Sequence, residues 1–126
     1  MTSNTLQDNE LFQTGYLVDG VWKALPTTFD VLNPATGEVV AKVAKAGGKE
    51  TEEAIAAASR AFPEWRARTA KDRSELLYRW YQLIIEHKSW LARLMTTEQG
   101  QPLKEAAGDV EYAASRPGQR RGGEGG

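Results

Sequence analysis

The 126-residue sequence contains no cysteine and a single histidine, His87. The first absence removes disulfides, thiolate metal sites, iron–sulfur ligation and any cysteine nucleophile. The second leaves no two-histidine zinc site, and a Ser-His-Asp triad would have to run through His87. Neither sign of charge is in excess. Sixteen Lys plus Arg stand against 17 Asp plus Glu, a net charge of -1, which argues against nucleic acid as a partner. Long apolar runs are missing too. The longest, Ala54 to Ala58, is far short of the ~20 residues that cross a bilayer, so no membrane partner is expected. Met1 to Glu10 holds no Lys or Arg and precedes no apolar stretch of signal-peptide length, so the expected localisation is cytoplasmic.

Motifs of small-molecule chemistry are equally scarce. There is no G-x-G-x-x-G, no Walker loop, no His-Glu-x-x-His and no calcium-loop spacing. Gly122-Gly123-Glu124-Gly125-Gly126 has neither a strand before it nor a helix after it, so it is not a nucleotide-binding turn. Arg120-Arg121-Gly122-Gly123 resembles a glycine–arginine RNA-binding segment only faintly, since three arginines, Arg116, Arg120 and Arg121, beside Glu124 are too few. His87 falls near a helix C-terminus, where its protonated form suits the dipole, and the carboxylates spread along helix surfaces. The residues therefore nominate no catalytic, cofactor-binding or metal-binding side chain.

What the chain does have is a globular composition, 40% apolar and 26% charged, and a length fitting one domain or part of one. After a polar stretch at 1–11, expected to be disordered, short strands fill about 16–43. Tyr16 to Val18 and Val21-Trp22 flank Asp19-Gly20, a dipeptide that tolerates the positive φ of a type I′ hairpin. Phe29 to Leu32 and Val39 to Val43 flank a second turn at Asn33-Pro34-Ala35-Thr36-Gly37.

Helical periodicity takes over at about 50–115. Ile55, Ala58 and Phe62 repeat on one face until Pro63, which is expected to end the first helix. Thr69 and Asp72 form a capping-box variant at the start of a longer helix reaching about His87. Ser89 is expected to cap a third, closed by Gly100. Pro102 opens a fourth, with Leu103, Ala106, Val110 and Ala113 on one face. The segment 116–126 is Gly- and Arg-rich with no apolar residue, and reads as a disordered tail.

The longer helix carries an unusual load. At about 100° per residue, Leu76, Leu77, Trp80, Tyr81, Leu83, Ile84 and Ile85 cover an arc of roughly 200°, about twice the stripe of an ordinary surface helix. Such a helix expects cover on two flanks. The remaining elements are few and short, so part of the burying surface is expected to lie outside this chain, with association through the face around Leu77, Tyr81 and Ile85.

The order Val18-Asp19-Gly20-Val21-Trp22, Asn33-Pro34-Ala35-Thr36-Gly37-Glu38, Ala61-Phe62-Pro63-Glu64-Trp65-Arg66 and Thr69-Ala70-Lys71-Asp72-Arg73 resembles the opening of the aldehyde dehydrogenase superfamily. Leu91 to Leu103, with Glu98-Gln99-Gly100-Gln101-Pro102, and then Tyr112-Ala113-Ala114-Ser115, is most similar to the succinate-semialdehyde dehydrogenase branch. The resemblance covers about Phe12 to Ser115 and corresponds to the first part of a much longer family polypeptide. It implies an α/β parent fold, of which this chain holds a mainly helical portion with short N-terminal strands. It also implies NAD- or NADP-dependent oxidation of a small aldehyde, succinate semialdehyde above all, through a cysteine thioester and a glutamate-activated water. None of those reactive groups maps onto this sequence, so neither turnover nor cofactor binding by this chain alone is expected. A helical module that binds a protein partner without catalysis is the alternative.

Two departures stand out. Gln101 takes the place where the family usually has Lys, and after Ser115 an aromatic, acidic helix of the family gives way to Arg, Gly and Pro. Those three residue types have GC-rich codons, so the segment reads as a truncation, a frameshift or a sequencing error.

Overall fold

A computed structural model describes the backbone of residues 5–122 and the side chains of residues 6–115. The chain divides into two compact units, Met1–Glu64 and Trp65–Gly126.

The first unit opens with one helical turn, α1 (Thr5–Asp8), inside the stretch where the sequence predicts disorder. Gln7 ties that turn to the strands by donating from Nε2 to the Val40 carbonyl at 2.6 Å. Strands β1 (Tyr16–Val18) and β2 (Val21–Lys23) pair antiparallel, with Tyr16 opposite Lys23 and Leu17 opposite Trp22. The two turn residues, Asp19 and Gly20, have φ of 54° and 75°, as the predicted type I′ turn requires. Strands β3 (Thr28–Leu32) and β4 (Val39–Ala44) form a second antiparallel pair, irregular between Val31 and Leu32. Their connection is closed by side chain and backbone together. Asn33 Oδ1 accepts from the Ala35 N–H at 2.9 Å, and Gly37, with φ of 75°, donates its N–H to the Asn33 carbonyl at 2.7 Å.

Helix α2 spans Gly48–Ala67 and contains Pro63, so the expected stop at that proline is corrected. Proline removes the bond to the carbonyl four residues back, here that of Ser59. Residues 58–70 are exposed throughout, so water can satisfy that carbonyl and the helix continues for one further turn.

The second unit is helical. Helix α3 (Ala70–Glu86) starts at Thr69, whose Oγ1 accepts from the Asp72 N–H at 3.1 Å, as the capping pattern predicts. His87 closes α3 by donating its N–H to the Leu83 carbonyl at 3.1 Å, and is also the N-cap of α4 (Lys88–Gln99). Ser89 therefore lies inside the first turn of α4 rather than capping it. Gly100, with φ of 82°, ends α4 and donates to the Thr96 carbonyl at 2.9 Å.

Helix α5 (Leu103–Gly122) packs against both α3 and α4. Its buried stripe is Ala106, Val110 and Ala114, spaced i, i+4, i+8, whereas Leu103 and Ala113 are exposed. Ala106 and Val110 meet Ala92 of α4, and Ile84, Leu91 and Met95 close around them. Small side chains at the crossing let the helix axes approach closely. The helical backbone runs past Ser115 into 116–126, the segment whose composition predicts no order. The side chains of that segment and all of 123–126 lie outside the described residues.

The wide apolar arc of α3 splits into two edges. Leu77, Tyr81 and Ile84 are half-buried, Ile84 against the Ala106–Val110 cluster, and the Tyr78 and Tyr81 rings stack at 5.5 Å. Leu76, Trp80 and Leu83 form the open edge, 44, 57 and 42% exposed. Association is expected through the face around Leu77, Tyr81 and Ile85. Of those three, Ile85 is exposed and Leu77 and Tyr81 are half-buried.

Candidate functional site

Among the described residues, the ionisable groups with shifted acidity cluster in the first unit. The register of the β1–β2 hairpin sets Tyr16 and Lys23 side by side, and α2 brings Glu53 to meet them. Lys23 Nζ pairs with Glu53 Oε1, and the Tyr16 hydroxyl donates to Glu53 Oε2 at 3.4 Å. The Lys23 hydrogen bond holds the Glu53 carboxyl below its ordinary range. The same bond raises the Lys23 ammonium. Burial, and then the Glu53 charge, raise the Tyr16 phenol. Gly15 sets the geometry next to this cluster, because a Cβ there would lie 2.2 Å from the Lys23 carbonyl oxygen. Chemically the arrangement is a charge-paired strut between hairpin and helix. Its ammonium and phenol are both held protonated and its carboxylate is held in an ion pair, which suits a structural role.

The cluster was only partly visible in the sequence. A two-residue turn at Asp19-Gly20 already dictates that Tyr16 opposes Lys23. Nothing local points to Glu53, which is 30 residues from Lys23 along the chain.

In the second unit, ionic and polar contacts are again structural. Lys88 of α4 pairs with Glu111 of α5. Gln101, at the position where the resemblance implies a lysine, donates from Nε2 to Asp109 Oδ2 at 2.9 Å. His87 contributes its backbone as a cap, in keeping with its expected place at a helix C-terminus. Among the described residues no three His, Asp or Glu side chains gather as metal ligands, and no helix is long and apolar enough to cross a membrane.

A dinucleotide needs a helix N-terminus with free amides facing its pyrophosphate. Gly47 and Gly48 stand at the start of α2, but the Gly47 N–H is donated to Glu50 Oε2 at 3.0 Å. That carboxylate occupies the positive end of the helix with the same sign of charge as the phosphates. The residues at this turn do not fit the cofactor.

Residues 22–116 match the model of the aldehyde dehydrogenase family. The chain belongs to the aldehyde dehydrogenase family. A glutarate-semialdehyde dehydrogenase of Pseudomonas putida is 53% identical over 112 residues, which are 87% of this chain and 23% of that protein. An NADP-dependent succinate-semialdehyde dehydrogenase of Escherichia coli is 49% identical over the same shares. The crystal structure of succinate-semialdehyde dehydrogenase from Burkholderia pseudomallei superposes with a TM-score of 0.84 at 44% identity. The match covers 89% of this chain and 24% of that one. The chain thus spans about a quarter of the length of the aldehyde dehydrogenases it matches. Its architecture, helices with a few short strands, is that of the matching portion of the α/β family fold.

Proposed function

We propose that this polypeptide serves the NAD- or NADP-dependent oxidation of a short dicarboxylic semialdehyde, succinate or glutarate semialdehyde, as a scaffolding portion that carries no chemistry of its own. The supporting observation is 49 to 53% identity to semialdehyde dehydrogenases across 87% of the chain. The restriction to scaffolding rests on composition. The family's reaction proceeds through a cysteine thiolate, and this sequence has no cysteine. The Tyr16–Lys23–Glu53 cluster is spent on holding a hairpin to a helix and offers no substitute.

The test mixes the purified 126-residue chain with succinate or glutarate semialdehyde and NAD or NADP, and follows absorbance of the reduced nicotinamide. The expected result is no reduction above the blank and no shift of the melting temperature by either nucleotide. Nicotinamide reduction by the purified chain would overturn the reading.

A further inference from the structure

Asp19-Gly20 is the one place in the sequence where an aspartate or asparagine precedes a glycine. Both residues are exposed at the tip of the β1–β2 hairpin, and a Cβ built on Gly20 would meet nothing within 4 Å. The Gly20 amide nitrogen is therefore unshielded. Among the described residues no hydrogen bond engages either the Gly20 N–H or the Asp19 carboxylate. Other such residues are held differently. Asp30 is ion-paired to Lys42 and precedes a β-branched valine, Asn33 precedes a proline with no N–H, and Asp72 and Asp109 lie in helices. Asp19 is also the sole non-glycine at positive φ among the described residues, at 54°, a region disfavoured once a residue carries a Cβ. Leaving the turn thus relieves strain, and a two-stranded hairpin at the surface is the kind of element that opens locally.

We infer that Asp19-Gly20 is a site of spontaneous backbone isomerisation to isoaspartate, and that the product frees the β1–β2 hairpin from α2. The Gly20 nitrogen attacks Cγ of the protonated Asp19 carboxyl. An N–Cγ bond forms, a Cγ–O bond breaks, and the amide proton leaves with the hydroxyl as water. Water then opens the cyclic imide. Attack at Cγ breaks the new bond and restores aspartate, whereas attack at the backbone carbonyl breaks the original peptide bond. The second route leaves Gly20 joined through Cγ beside a free α-carboxylate. One water is released and one taken up, and nothing is oxidised or reduced. The two-residue loop sets Tyr16 opposite Lys23, and that register delivers both side chains to Glu53. Isoaspartate lengthens the backbone of the loop by a carbon, so the pairing slips and the Lys23–Glu53 ion pair is lost.

The test incubates the purified 126-residue chain in warm neutral buffer and digests samples with trypsin at intervals. The peptide Met1–Lys23 should split into two species of equal mass, preceded by a transient one lighter by a water. Electron-transfer fragmentation should place the altered linkage at residue 19. Asp19→Asn suits the same turn and loses ammonia in place of water, so it should react several-fold faster. Asp19→Glu, whose longer side chain closes a ring far more slowly, should lose the second species. In the isomerised fraction the Glu53 carboxyl should titrate in its ordinary range, while unreacted chain keeps it lowered. A native chain that keeps the normal linkage at residue 19 would overturn the site. So would Asp19→Asn reacting no faster than wild type, or Asp19→Glu splitting as wild type does. An isomerised chain whose Glu53 stays lowered would overturn the release of the hairpin.

Discussion

Glu53 shows how a single side chain ties together elements that have little else to hold them. The β1–β2 hairpin is a two-stranded sheet, a structure only marginally stable alone, and Leu17, Val21 and Trp22 face solvent rather than a core. Through Glu53 the hairpin gains an ion pair and a hydrogen bond to α2. The pH dependence follows from the direction of each shift. A carboxyl held below its ordinary range stabilises the fold above that range and loses its contribution as pH falls through the lowered value. Lys23 and Tyr16, both raised, contribute fully below their ordinary values and lose the contribution as pH rises through the raised ones. The strut should therefore be intact from weakly acidic to moderately alkaline pH and fail at both extremes. Carboxyl carbon NMR of Glu53 should titrate below the ordinary glutamate value of ~4.3. Lys23→Met should return it toward that value, and a Glu53 titration unmoved by the substitution would contradict the assignment.

At the scale of elements, the features written in local chemistry were legible. Asp19-Gly20 and Asn33 to Gly37 announce their turns because few residue types accept positive φ or bond their own backbone two residues on. Thr69 and Gly100 announce the ends of helices for similar reasons. What failed were inferences that depend on solvent or on distant neighbours. Periodicity gave the width of the α3 arc, but not that Leu77 and Tyr81 are half-buried while Leu76 and Trp80 are open. Glu53 was missed as a site residue because its partners lie on another element. Pro63 was read as a stop, although an exposed helix can lose one bond to water and continue. The penalty for proline in a helix interior is ~3 kcal/mol, so Pro63→Ala should stabilise α2 by a substantial part of that amount. Urea unfolding followed by far-UV circular dichroism would register the gain as a higher midpoint. An unchanged or lowered midpoint would mean that the proline sits at no cost in its present conformation.

For the whole molecule, the deciding quantity is how little large apolar surface is enclosed. The buried apolar side chains among the described residues are Val18, Ala57, Ala92, Ala106, Val110 and Ala114, and none of the large side chains is fully buried. Leu, Ile, Phe and Trp side chains instead stand at the surface in both units, among them Trp22, Phe29, Ile55, Phe62, Leu76 and Trp80. Full burial of one such side chain is worth ~1.5 to 3 kcal/mol, against a net stability of ~5 to 15 kcal/mol for an ordinary domain. Alanine and valine cores contribute less per residue, and they leave the two units with backbone hydrogen bonds and short-range packing as their main support. The chain by itself should therefore unfold gradually. Its unfolding enthalpy should lie well below the ~60 to 80 kcal/mol usual for about 100 residues, and it should bind a hydrophobic dye before heating. Differential scanning calorimetry of the dilute chain checks this. A broad, weak transition is the expected outcome. A sharp transition of full enthalpy from the isolated chain would show that the open edges need no cover, and that the exposed leucines and tryptophans cost the fold nothing it cannot bear.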